Sequence, residues 1–280
     1  MWTVCSTYCT LESTPTNSLE RALLLLDLVE KVPGGLRNAE ISRRLDIPRS
    51  SSSWMLARLE RHGYLTRNAD SGRYRIGLKT IALAHGALRD LGFRSSAEPV
   101  LYRVASETGL AAGIGLLEGG HVLLVDRVEP PDAARQRPRE QRDIGRELPL
   151  HTTALGKVLL AHLPRHELTV TLEDRRLARR TAKTIVSREK LLLELRRIRQ
   201  RGYALADEEH DAGLRALSAP IRDLSGTVRA ALSLNGPSDA PAWNDLRRLA
   251  GLVTSAAREI SGHARFPWSG FRWSEQAQDQ

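Results

Sequence analysis

Apolar residues recur along the first part of the chain at the spacing of one helical face: Leu19, Ala22, Leu23, Leu26 and Val29. Asn17-Ser18-Leu19-Glu20 has the form of a capping box at the start of that helix, and Pro33-Gly34-Gly35 stops it. Asn38 is placed to cap a second, short helix that turns Ile41 and Leu45 inward, and Ile47-Pro48 breaks it. A third helix is expected from near Ser50, through Leu56 and Leu59, to Gly63 as its C′ residue. Leu65-Thr66-Arg67 and Arg73-Tyr74-Arg75-Ile76 then alternate as two strands around the turn-rich loop 68–72. Helix, helix, tight turn, helix and basic hairpin are the order of a winged helix-turn-helix over residues 17–77. That shape is built to put one helix into a DNA groove.

The pattern changes beyond this point. Residues 78–93 read as a linker helix with Leu78, Ile81, Ala82, His85 and Leu88 on one face, able to join two domains and to pack against its own copy. A helix near Ser96–Thr108 opens a second domain, residues 94–262. Strands are expected at Ala111–Leu117 and His121–Arg127, around Glu118-Gly119-Gly120. Pro130–Arg142 reads as an Arg-rich loop with an edge strand. Thr152–His162 is helical, and 164–201 holds two more helices. Tyr203–Ala206, Leu214–Ile221 and Val228–Leu234 read as strands, and Ala240–Ser261 as an amphipathic closing helix. Helices mixed with antiparallel hairpins predict an α+β sheet domain of the kind that encloses small ligands. Residues 1–16 and 263–280 read as tails, the second carrying Phe266, Trp268, Phe271 and Trp273.

Composition narrows the class. A length of 280 residues suits two domains. The net charge of +9 points toward a polyanion, and the first 93 residues are the more basic per residue. Cys5 and Cys9 are the only cysteines, so the body of the protein has no disulfide framework and no Cys-based zinc site. No segment reads as a signal peptide, and the longest apolar run, Ala22–Leu26, is too short for a membrane span; a cytoplasmic protein is expected, with no membrane partner and no cofactor.

A recognition helix presents its N-terminal residues to base edges. Those residues here are Arg49, Ser50, Ser51, Ser53 and Trp54, with Arg58 one turn further on. Hydroxyls can donate to phosphates or bases, arginine can reach phosphate or guanine, and Trp54 can meet a thymine methyl or pack on the first helix. Arg73 and Arg75 share one face of the wing strand, opposite Tyr74 and Ile76, which leaves two charges free for the DNA backbone or minor groove.

Several longer motifs carry a resemblance. Ser18-Leu19-Glu20-Arg21-Ala22-Leu23, Ala39–Leu45 and Leu59–Leu65 resemble the reader of IclR-family transcriptional regulators. The second half matches more sharply through Leu148-Pro149-Leu150-His151-Thr152-Thr153-Ala154-Leu155-Gly156-Lys157, Gly202–Ala204, Asp207–His210, Gly213–Arg215, Ala219–Ile221 and Ala230–Ser233. The resemblance runs in order over about residues 17–262. It implies a winged helix-turn-helix, a linker helix and a C-terminal α+β effector-binding domain with an antiparallel, GAF/PAS-like sheet. It implies dimers or tetramers on palindromic double-stranded operators, and small carboxylate or aromatic-acid effectors. Carried over by position, the pocket would be floored by Thr153, Ala154 and Leu155, and walled by Ala206 or Asp207, Ala216, Ser233 and Asn235. Free N–H groups at a helix N-terminus suit a carboxylate, and Ser233 and Asn235, two apart on a strand, face one side.

The chain departs from its relatives in four places. Ala216 stands where many have Cys and Ala206 where Asp is frequent, which implies a larger and less polar pocket and excludes Cys-dependent metal binding there. Ser52 stands where a branched apolar residue is usual and Trp54 where a basic one is common, so no operator sequence transfers.

Other constellations read as structural. Leu155-Gly156-Lys157-Val158 lacks the first glycine and the hydroxyl of a P-loop, and Gly113-Ile114-Gly115 lacks a third glycine. Asp207-Glu208-Glu209-His210 reads as a solvated turn pairing with Arg215 or the Arg146 region. Arg175, Arg176, Arg179, Arg180 and Lys183 read as solvated surface. No Ser/His/Asp set points to an enzyme. The expected function is a ligand-responsive DNA-binding regulator. The alternative is a constitutive regulator whose sensor has lost its ligand, which the two alanines favour.

Overall fold

In the computed structural model, which describes residues 17–130, 144–173 and 175–263, the side chain of Asn17 accepts the N–H of Glu20 at 2.8 Å and starts α1 (Ser18–Glu30). Apart from His263, which ends the last helix, both expected tails lie outside the described residues, with Cys5, Cys9 and the four tail aromatics, as does most of the Arg-rich loop. The chain falls into two compact units that divide between Ala87 and Leu88.

In the first unit α1 is followed by α2 (Asn38–Leu45), α3 (Arg49–Arg61), β1 (Leu65–Arg67) and β2 (Tyr74–Ile76). Leu25, Val29, Leu36, Ile41, Met55, Leu56, Leu65 and Tyr74 form its core. The phase of α1 differs from the expected stripe. Leu25 is fully buried, whereas Leu19 and Leu23 are exposed. Five of the nine residues from Leu19 to Asp27 are leucine, so apolar periodicity alone did not fix which leucines face inward. Asn38 is the first residue of α2 rather than its cap. The capping role falls to Arg37, whose N–H donates to Glu40 at 2.8 Å. Asp46, with φ 51°, closes the tight turn into α3. Gly77 is required because a Cβ there would sit 2.2 Å from the Gly63 carbonyl oxygen.

No residue of α4 (Lys79–Asp90) is buried, and Leu78, Ile81 and Leu83 beside or within it are exposed.

The second unit holds α5 (Arg94–Thr108), β3 (Ala111–Glu118), β4 (His121–Val128), β5 (Glu147–Leu148), α6 (Ala154–His162), α7 (Arg165–Glu173), α8 (Arg188–Arg201), β6 (Ala204–Asp207), β7 (Leu214–Arg222), β8 (Val228–Pro237) and α9 (Leu246–His263). The expected closing helix is split, because Pro241–Asp245 forms a 3-10 turn before α9. All six strands pair antiparallel, in the order β5-β4-β3-β8-β7-β6. Alternation along β8 sorts its two faces: Ala230, Leu232 and Leu234 join the core with α5 and α9, while Ala231 faces α6 and α8. Gly115 lets α6 lie close on the sheet, since a Cβ there would meet Val122 at 2.5 Å and Leu155 at 3.2 Å. Gly156 does the same for the loop entering α6, its missing Cβ falling 2.3 Å from the Leu150 carbonyl oxygen.

Among the described residues of the first unit, two buried side-chain atoms have no hydrogen-bond partner, Asn38 Oδ1 and Ser52 Oγ. Ser52 is fully buried on α3, and its Oγ has no hydrogen-bond partner. A buried hydroxyl without a partner costs about 1–3 kcal/mol. Ser52→Ala is therefore expected to raise the melting temperature of the full chain's reader transition by about 4 °C or more. Calorimetry checks this, and an unchanged or lower temperature would mean that the hydroxyl is satisfied.

Candidate functional site

The exposed face of α3 carries Arg49, Ser50, Ser53, Trp54 and Arg58, with Ser51 half-buried. Asn38 on α2 donates to Ser53 Oγ at 2.6 Å, which fixes that hydroxyl and leaves its own hydrogen to donate. Trp54 is 55% exposed and does not pack into the core. The Arg58 guanidinium lies 5.0 Å from the centroid of its ring.

The wing corrects the sequence reading. Arg73 and Arg75 do share a face, with Tyr74 and Ile76 opposite, but they are not free charges. Arg73 donates to the Gly35 carbonyl at 2.7 Å and to Glu40 at 3.2 Å, and Arg75 donates to the Gly34 carbonyl at 3.1 Å. The physical reason lies about forty residues earlier. Gly34 and Gly35 adopt positive φ and turn their carbonyls toward the wing, where arginines satisfy them. Glu40 is held below its ordinary pKa, first by the Arg37 N–H and then by the charge of Arg73.

In the second unit a cavity of about 110 Å³ lies between the start of α6 and the sheet. Thr153, Ala154, Leu155, Ala206, Ala216, Ser233 and Asn235 all line it. Asp207 does not. Its carboxylate is bonded to Arg215 and to Lys183, which hold it below its ordinary pKa. Thr153 Oγ1 donates to the Pro149 carbonyl at 2.7 Å and accepts the Gly156 N–H at 3.1 Å. That bond orients the first turn, whose N–H groups at Ala154 and Leu155 have no partner one turn back.

The cavity also contains residues that sequence reading missed: Arg127, Arg146, Thr152, His210 and Arg215. Arg127 sits opposite Gly113, which sits opposite Ser233. With no side chain at Gly113, Arg127 reaches Asn235 Oδ1 at 3.1 Å while donating to Glu129 at 2.6 Å. Sequence offered no signal for this: the hairpin register at Glu118–His121 alone would set Asp126 against Gly113, and a β-bulge between Ile114 and Gly115 brings Arg127 there instead. Ala206 and Ala216 leave part of the wall apolar, as expected. The arginines add positive potential, and the whole suits a small anion with an apolar body.

Two structural readings need correction. Asp207 ends β6 and Glu208 follows it in the turn, both partly exposed, but Glu209 is buried and accepts from buried Lys157 Nζ at 2.6 Å. Burial pushes the Glu209 carboxyl up, against the pull of Lys157. Nor is the 175–183 run simply solvated. Arg175 donates to the Gly120 carbonyl, Arg180 to the His210 carbonyl, and Lys183 to Asp207 and Glu208.

His210 bonds Thr152 through Nδ1 at 2.9 Å. Burial, and then the charge of Arg180, lowers its pKa to about 4, so it is neutral at pH 7. The unfolded chain binds this proton near pH 6.5, before the folded chain does, so the contribution to stability is full above that pH and lost as pH falls toward 4. His151 and His162 are lowered by burial too and act in the same direction. His210→Gln is expected to flatten the decline of the second unit's melting temperature between pH 6.5 and 4.5. Identical slopes for wild type and variant, followed by calorimetry, would refute it.

Comparison with known proteins bears on both sites. Residues 18–69 match the IclR helix-turn-helix domain, and residues 85–262 match the bacterial transcriptional regulator IclR C-terminal domain. The chain is 35% identical to the HTH-type transcriptional regulator XynR of Escherichia coli over 78% of this chain and 85% of that protein. It is also 35% identical to the HTH-type transcriptional regulator BhcR of Paracoccus denitrificans over 87% and 86% of the two. A solved structure of an IclR homologue from Microbacterium hydrocarbonoxydans, complexed with 4-hydroxybenzoate, superposes with a TM-score of 0.76 at 25% identity, covering 88% of this chain and 98% of that one. Among the described residues no helix is long and apolar enough to cross a membrane. These relatives regulate transcription and are not enzymes, and the chain belongs to the IclR family of DNA-binding transcriptional regulators.

Proposed function

We propose that this regulator binds a palindromic operator as a dimer or a dimer of dimers, and that a small carboxylate seated under α6 switches it. The observation that carries the reading is the convergence of the first turn of α6, Arg127, Ser233 and Asn235 on one cavity. Unsatisfied N–H groups in the positive field of a helix N-terminus hold a carboxylate, and the apolar wall at Ala206, Ala216 and Leu155 accepts the body of an aromatic acid. The homologue bound to 4-hydroxybenzoate supports an effector of this kind. Exposed Leu78, Ile81 and Leu83 give the α4 segment an apolar surface for a second copy. An effector acts only through its different affinity for the DNA-binding and released states.

The constitutive alternative rests on Ala206 and Ala216, and one experiment separates the two. Operator binding is titrated with 4-hydroxybenzoate and a panel of small carboxylates. A responsive wild type is expected, with Asn235→Leu shifting the response to about tenfold higher effector or beyond and leaving effector-free DNA affinity nearly unchanged. Absence of any response across the panel favours the constitutive regulator. An unshifted response in Asn235→Leu places the pocket elsewhere.

On the DNA side, Arg49→Ala is expected to flatten the slope of log K against log salt by about one unit. Arg73→Ala, which loses its bonds to Gly35 and Glu40, is expected instead to lower the reader's stability with a smaller change in slope. The reverse order would show that the wing arginine leaves Glu40 to hold phosphate.

A further inference from the structure

The exposed face of α3 runs through Ser50, Ser53, Trp54, Ala57 and Arg58, the i, i+3, i+4, i+7, i+8 positions of one helical stripe. Its opposite face buries Ser52, Met55 and Leu56. Trp54 therefore stands in the open for no reason of packing. Arg58 differs from the bonded arginines Arg37, Arg73 and Arg75. Arg37, Arg73 and Arg75 are bound to carbonyls or to Glu40, whereas the Arg58 guanidinium makes no ion pair among the described residues and is held by the Trp54 ring.

Helix geometry explains the pairing. Four residues span about 6 Å along the axis, and helical side chains lean toward the N-terminus. Arg58 thus reaches back over the turn before it and brings its guanidinium level with the indole, 5.0 Å from the ring centroid. A stacked guanidinium keeps its planar donor fork and loses less freedom on binding than an extended one. In the major groove that fork matches O6 and N7 of guanine, and an apolar ring edge matches the C5-methyl of thymine. Neighbouring base pairs lie about 3.4 Å apart, within the width of the stacked pair.

We infer that Trp54 and Arg58 act as one reading unit for a thymine next to a guanine in each operator half-site. The inference rests on α3 being the DNA-reading helix. Trp54 supplies the contact to the methyl group and also holds Arg58 in its reading orientation, so the two preferences are coupled: losing the ring weakens recognition of the guanine as well.

The test uses the full chain. Operator half-sites are selected from randomised duplexes, and binding is then measured on the selected site with single-atom changes. Uracil in place of thymine removes only the methyl group, and 7-deazaguanine removes only N7. Wild type is expected to weaken by roughly tenfold for each change. Trp54→Ala is expected to lose its sensitivity to uracil and most of its sensitivity to 7-deazaguanine. Arg58→Ala and the charge-conserving Arg58→Lys are expected to lose sensitivity to 7-deazaguanine while keeping the salt slope of Arg58→Lys near that of wild type. Trp54→Phe, which keeps an aromatic face, is expected to retain part of both. Melting temperatures of all four variants are expected to match wild type, because both side chains are exposed.

The outcomes separate cleanly. Selection of no preferred duplex by wild type overturns the unit together with DNA reading by α3. Selection of a preferred duplex without adjacent thymine and guanine, or unchanged sensitivities in Trp54→Ala and Arg58→Ala, overturns the unit alone. Loss of guanine recognition in Arg58→Ala but not in Trp54→Ala would show two independent contacts and refute the coupling.

Discussion

Lys157 is buried in the interior of the second unit, and the surrounding chain is arranged to receive it. Its ammonium donates to Glu209 at 2.6 Å and to the Leu205 carbonyl at 2.7 Å. A buried pair gains little over well-packed apolar residues, but breaking one by removing a partner costs about 3–5 kcal/mol. The pair therefore acts as a latch more than as a source of stability. It fastens the first turns of α6 to β6 and to the turn that follows it, and these elements carry opposite walls of the cavity. The floor at Thr153–Leu155 cannot move from Ala206 and His210 without exposing or unpairing Lys157. A cavity built on such a latch keeps its donors oriented before anything enters it.

The latch works only because backbone can approach backbone around it. Gly156 presses against Leu150, and Gly115 opens the sheet to Leu155. Gly113 clears the path by which Arg127 reaches Asn235. The segment Gly113-Ile114-Gly115 looks in sequence like a fragment of a nucleotide loop, but it is a thinned strand that lets a helix and an arginine come close. Ile114 between the two glycines points the other way, into the core with α5 and α9.

These cases show where sequence reasoning succeeds. Period-2 alternation on β8 was legible and put Ser233 and Asn235 on one side, the resemblance assigned that side to a pocket, and both residues line the cavity. The start of α6 was legible only to within two residues: the helix was expected from Thr152, and the structure makes Thr153 its cap. The inward phase of α1 was not legible, because leucine occupies both faces and only the partners decide. The pairing of Arg73 with Gly35 and Glu40 was not legible either, since it depends on carbonyls exposed by positive φ at two glycines. Glu209 was misjudged for a related reason. Three consecutive acidic residues look solvated, and the cation that buries one of them lies 52 positions away.

A common rule governs charge in both units. Several of the arginines that stand at the two sites already have internal partners. Arg127 has Glu129 and Asn235, Arg215 has Asp207, and Arg73 has Glu40. Paired charge still shapes the local potential, but it contributes less selectivity, because a ligand must displace or share an existing partner. Selectivity then concentrates on groups that folding leaves uncommitted. In the sensor these are the first-turn N–H groups of α6, which no helix can satisfy internally. In the first unit they are the guanidinium of Arg49, the hydroxyls at the start of α3 and the guanidinium of Arg58, which lies over a ring that does not neutralise it. The net charge of the chain describes its attraction to a polyanion, but the few uncommitted donors decide what it distinguishes.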